Sequence, residues 1–137
     1  MQMLSALLCD FAADYAGKLS VMGAFDTIMA PQFPVTHNHC SLALRALVHD
    51  TDEGKHKFEI KLIDSDGRNI LPKLELETQM HLSDEMFFAS QNIVVHLNSL
   101  RFDKPGQYSI DVYFDGAIVS RVPLQVIKFN PPPAQAA

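Results

Sequence analysis

The sequence predicts an all-β fold: a single-domain antiparallel β-sandwich of about eight strands. Three observations carry that expectation. Apolar and polar residues alternate with period two in six separate segments, the mark of half-buried strands. Short clusters of Asp, Gly and Pro punctuate the intervals between them. No stretch sustains a helical period. With 137 residues, 47% of them hydrophobic and 20% charged, the chain has the size and composition of one globular domain. A domain of that length buries enough surface to need no disulfide or metal staple.

The elements follow in chain order. The opening MQMLSALLCDFAAD is apolar but has no basic n-region and meets Asp10 early, so it reads as folded structure, with a strand over 2–10, and not as a secretory signal. Ala16-Gly17-Lys18 closes a hairpin into a strand over 18–29, with Gly17 free to take the positive φ of a turn. Gly23 inside that strand points to a bulge or a close backbone approach. Pro31 and Pro34 mark a loop. Leu42, Leu44, Ala46 and Val48 share one face of a strand over 40–49, with Arg45 and His49 on the other. Asp52-Glu53-Gly54-Lys55 turns the chain into 56–64, where Phe58, Ile60 and Leu62 alternate with Lys57, Glu59 and Lys61. The turn Asp64-Ser65-Asp66-Gly67 leads to 68–80, which carries Leu74 and Leu76.

Met80 to Ala89 has room for one helical turn with Ser83 as N-cap. Then Ile93, Val95 and Leu97 define a strand over 87–98. Lys104-Pro105-Gly106 introduces 107–115, built on Tyr108, Ile110, Val112 and Phe114; Asp115-Gly116 turns it into 117–128, built on Ile118, Val122, Leu124 and Val126. The β-sandwich domain is thus expected over 1–129, followed by a Pro-rich flexible tail over 130–137. Leu47, Ile63, Val94, Tyr113, Val119 and Ile127 fall on the phase opposite the core. That surplus calls for cover and points to a homo-oligomer, a dimer, or another protein partner.

Charge narrows the partners. Eleven Lys and Arg against sixteen Asp and Glu give −5 and a pI near 5.6, which argues against nucleic acid and against an anionic membrane surface. No apolar run is long enough to span a bilayer. Cys9 and Cys40 are the two thiols, expected free and buried, with the cytoplasm as the default compartment.

An antiparallel meander sorts its connections to two ends. One end collects Asp14, Asp50, Asp52, Glu53, Asp84, Glu85 and Asp115. The other collects His37, His39, Asp64, Asp66 and Asp103 with Arg68, Arg101 and Lys104. Asp50, Asp52, Asp84 and Asp115 are the candidate ligands for Ca²⁺, a hard cation that takes six to eight oxygens. Solvated turns explain the same residues, since Asp is a turn former. His37 and His39 are the candidates for Zn²⁺; they share a strand face, with Cys40 pointing away. No metal site or cofactor is assigned on this basis. Gly-x-Ser-x-Gly, Walker and Gly-x-Gly-x-x-Gly sequences are absent, so no catalytic residue is assigned either. Cys9 lies in an apolar strand, Glu75 and Glu77 read as solvent-facing sheet, and His96 sits on the polar phase of its strand.

Leu7-Leu8-Cys9-Asp10, then Gly17-Lys18-Leu19-Ser20-Val21-Met22-Gly23-Ala24-Phe25-Asp26-Thr27-Ile28 and Phe33-Pro34, carry a more specific signal. Together with Phe102-x-x-Pro105-Gly106-x-Tyr108, Asp115-Gly116 and Pro123-Leu124-x-Val126, this pattern resembles a family of small bacterial proteins of unknown function. The resemblance implies a β-sandwich and a bacterial, cytoplasmic setting, and no activity. The leading expectation is a non-enzymatic binding or protein-interaction module. The alternatives are a sandwich that binds a Ca-type divalent ion or small ligand through its acidic loops, and a hydrolase with an unrecognised site.

Overall fold

The computed structural model describes residues 1–130; the part of the expected tail beyond Asn130 lies outside the described residues. Nine strands appear among them: β1 (Gln2–Tyr15), β2 (Lys18–Ala24), β3 (Thr27–Ala30), β4 (Val35–Val48), β5 (Gly54–Asp64), β6 (Leu74–Met80), β7 (Ala89–Phe102), β8 (Gly106–Phe114) and β9 (Ala117–Lys128). One sheet has the order β2-β1-β4-β7 and the other β3-β9-β8-β5-β6. Every pairing is antiparallel except β3 with β9. The two sheets enclose one core, in which Leu42, Leu44 and Leu97 of the first meet Phe58, Ile60, Ile110 and Val126 of the second. Burying a side chain of this size contributes about 1.5–3 kcal/mol. The faces expected for the central strands are the faces buried.

The ninth strand arises from a change of phase. Leu19 and Val21 are odd-numbered and pack in one place, whereas Ile28 is even-numbered and packs in another. The chain leaves the first sheet after Ala24, where the Phe25 N–H still donates to Leu8 O at 2.9 Å. It joins the second sheet through Asp26 O, which accepts from the Gln125 N–H at 2.8 Å. The expected strand over 18–29 is therefore two strands in two sheets. In place of the helical turn expected between Met80 and Ala89 there is a β-turn, closed by the Met86 N–H on Ser83 O at 3.0 Å, and no helix. In β9 a register shift against β8 exchanges two side chains. Val119 packs toward the core, and Ile118, expected there, is exposed.

β1 serves two partners. Residues Gln2 to Cys9 pair with β4, and Cys9 to Tyr15 pair with β2. The β1–β2 hairpin folds back across the outer face of β4 and β7. Its turn is held by Gly17 O, which accepts from Arg45 Nη1 and Asn92 Nδ2 at 3.2 Å each. Beneath it Cys9, Ala12 and Ala43 form a second small core, with Leu19, Val21 and Val94 packed against it. Val94, one of the surplus outward apolar residues, is covered in this way by the protein's own hairpin.

Candidate functional site

The chain is not a meander, because it crosses repeatedly between the two sheets, yet the connections after β3 still alternate between two ends, and the acidic end is a hydrogen-bonded knot. Asp52 Oδ1 accepts from the Met1 ammonium at 2.7 Å, and its Oδ2 accepts from the His49 N–H at 2.8 Å. These contacts, the ammonium foremost, hold the Asp52 carboxyl below its ordinary value. His56 lies between two acceptors: Nδ1 is 2.6 Å from Asp115 Oδ2 and Nε2 is 2.6 Å from Asp52 O. Asp115 Oδ1 also takes the Lys57 N–H at 2.9 Å. The hydrogen bond to Asp115 raises the His56 pKa and lowers that of Asp115. Glu53 Oε1 holds the Leu82 N–H at 3.1 Å and faces His81 at 3.6 Å. Asp50 begins the short 3-10 turn Asp50–Asp52, and Asp84 sits in the exposed β6–β7 connection. Of the four Ca²⁺ candidates, Asp52 and Asp115 are joined through His56. Their carboxylate oxygens are engaged by an ammonium, an imidazole and backbone N–H groups.

At the opposite end Asp64, Arg68, Arg101, Asp103, Lys104 and Tyr108 line a cleft of ≈ 330 Å³. Arg101 Nε donates to Asp103 Oδ1 at 3.0 Å, and Tyr108 OH donates to Lys104 O at 2.7 Å. Glu75 pairs with Lys73 at 3.0 Å within a chain of charges that includes Lys57 and Glu59, which places it in a solvated ionic face.

The histidines expected to share a face are separated. In β4 and β7 the registers His37↔Leu100 and His39↔Asn98 flank Ser99, whose φ is +55°. Leu100 and Phe102 are buried in the core, as are Leu97 and Cys40, so the inward phase changes at Ser99. His37 consequently turns to the core rim beside Phe25, ring centroids 5.5 Å apart, and its Nε2 is buried without a hydrogen-bond partner among the described residues. His39 turns to the outer face and meets His96 instead, at 5.6 Å between centroids and 30° between planes. His39 Nδ1 is 2.7 Å from Asn98 Oδ1, and His96 Nδ1 is 3.1 Å from Ser41 Oγ. The pairing of His39 with His96 was not legible in sequence, because it depends on the β4–β7 register across 57 residues.

Ser41 and His96 stand at the distance of a nucleophile and its base. Ser41 is fully buried beside Cys9, however, so no substrate reaches its hydroxyl. Cys9 and Cys40 are both free and buried. Burial pushes the Cys40 thiol up to about 11, and such a group is inert. Cys40 belongs to the main core and Cys9 to the small outer one, on opposite faces of the sheet.

The sheet edges differ in how they meet solvent. β3 has four residues and runs into Pro31; β6 carries Glu75 and Glu77; β2 has seven residues, is kinked at Gly23 and lies over the first sheet. β7 is 14 residues long, pairs only with β4, and has no Lys, Arg, Asp, Glu or Pro from Ala89 to Leu100. Just before it, Met86, Phe87 and Phe88 are exposed, Phe87 at 93%. Leu7, Phe11, Tyr15 and Met22 are exposed on β1 and β2. Among the described residues no helix is long and apolar enough to cross a membrane.

No curated protein matches the chain. A family model does, over residues 4–127, which takes in β2 to β8 whole and all but the first two residues of β1 and the last of β9. The nine-stranded two-sheet domain, from its folded-back hairpin to its open β7 edge, therefore belongs to the DUF6941 family, a family of unknown function.

Proposed function

We propose that the protein is a non-enzymatic interaction module that assembles with a second copy of itself through the free edge of β7. The observation that carries this reading is the contrast among the four edges. Three are blunted by shortness, charge, proline or a kink, the usual guards against strand pairing. Over 89–98, before the kink at Ser99 and the charge of Arg101, β7 has none of these guards and offers a long row of backbone donors and acceptors. A second copy is the fitting partner because an antiparallel two-fold pairing sets β7 against itself with no like charges opposed between Ala89 and Leu100. Ile93 and Val95, half-buried at this edge, gain cover in such a seam. Met86, Phe87 and Phe88 lie at the start of each β7 and flank it. The burial of Ser41 and of both thiols supports the non-enzymatic part of the proposal.

Light scattering during size-exclusion chromatography tests it. The expected mass is twice the 15.3 kDa of one chain. Val95→Lys places an inward-pointing charge on the edge and is expected to give a monomer with an unchanged β-type circular dichroism spectrum. Phe87→Ser, at a site that contributes nothing to the fold, is expected to weaken the dimer. A wild-type mass of 15.3 kDa at tens of micromolar protein overturns the reading.

A further inference from the structure

We propose that His39 and His96 form a binding site for a borderline divalent cation of the Zn²⁺ class. The two side chains come from adjacent antiparallel strands and are diagonal neighbours, since His39 pairs with Asn98 and His96 with Ser41. Both are exposed on the outer face of the first sheet. Their ring centroids are 5.6 Å apart. With Zn–N bonds of about 2.0–2.1 Å, two imidazoles sharing one tetrahedral ion place their centroids about 5–6 Å apart. The rings are therefore already spaced for a shared ion.

The hydrogen bonds fix which nitrogen is offered. Asn98 Oδ1 is an acceptor, so the proton of His39 sits on Nδ1 and the lone pair on Nε2. Ser41 Oγ stands in the same relation to His96 Nδ1 and accepts its proton when Nε2 binds a metal. A ligating histidine commonly gives its second N–H to an oxygen in this way, which sets both tautomer and ring orientation. Neither Nε2 has a hydrogen-bond partner among the described residues. Nitrogen donors select Zn²⁺, Ni²⁺ or Cu²⁺ over Ca²⁺ or Mg²⁺. No third His, Cys, Asp or Glu completes the set among the described residues, so the remaining positions are open to water or to an exogenous ligand.

Zn²⁺ titration of tag-free protein, followed by calorimetry and by the histidine side-chain ¹⁵N resonances, is the test. One equivalent per chain is expected, with the Nε2 resonances of His39 and His96 shifting together. His39→Gln and His96→Gln are each expected to weaken binding at least tenfold, with the circular dichroism unchanged. His81→Gln, which alters another exposed imidazole, 3.6 Å from Glu53, is expected to leave it intact. Binding that survives both His39→Gln and His96→Gln overturns the proposal, as does wild-type protein that takes up no Zn²⁺ at millimolar metal.

Discussion

Gly23 and Asp10 face each other across β1 and β2, and the pair explains why the opening segment has the residues it has. Gly23 has φ +69°, and a Cβ built there would meet Asp10 Oδ2 at 2.5 Å and Cγ at 3.0 Å. Gly23→Ala is therefore expected to destabilise by more than the ~1–2 kcal/mol that a left-handed alanine costs. Asp10→Ala in the same chain removes the two closest atoms, leaving Cβ at 3.2 Å, and should recover most of the excess. A double-mutant cycle in urea reads that recovery as a coupling between the two sites. His56 gives a second prediction at this scale. Both ring nitrogens face acceptors, so the imidazolium form is the one the site satisfies. Because its pKa is raised from 6.5, its contribution is complete below that pH and is lost as pH rises through the raised value. Asp115, lowered from 3.8, contributes above that pH and loses its contribution as pH falls through the lowered value. The stability of wild type over His56→Gln should thus be greatest between pH 3.8 and 6.5 and should shrink on the alkaline side, as denaturant melts across pH will read.

At the scale of elements, alternation located the strands wherever two sheets clamp both ends of a run, as at Phe58, Ile60 and Leu62. It failed where the phase changes inside a run: between Val21 and Ile28, at Ser99, and at the Ile118–Val119 bulge. In each case one residue of slip sends the following side chains to the other face, and only the partner strand fixes where the slip occurs. The folded-back hairpin was hidden for a related reason. Ala12 and Ala43 are small enough to read as incidental, yet they are what lets β1 and β2 lie on the sheet. Ala43 is fully buried beneath the hairpin. Ala43→Leu should lift the hairpin at a cost of about 1–3 kcal/mol, the usual range for overpacking. Hydrogen exchange read by mass spectrometry is expected to rise over 10–22 while β5 and β8 keep their protection.

At the scale of the molecule, the sorting of acidic connections to one end was legible despite the missed strand. β2 hands the chain to β3 across two residues, and the turns that follow still alternate between the ends of the sandwich. The engagement of Asp52 and Asp115 by cations was not legible, because His56, on the same phase of β5 as Phe58, meets Asp115 only through the β5–β8 register. The edges are also a property of the whole, since sequence places no strand at an edge; only the sheet order leaves β7 free. If β7 pairs with its own copy, the four-stranded sheet becomes eight-stranded, and folding is linked to association. The melting temperature must then depend on protein concentration. A tenfold rise stabilises a dimer by about 1.4 kcal/mol, shared over two chains, which for domains of this size amounts to about 2–4 °C. Wild-type melts from micromolar to hundreds of micromolar should climb by that step per decade. Val95→Lys should melt at one temperature throughout, because its unfolding no longer includes a dissociation.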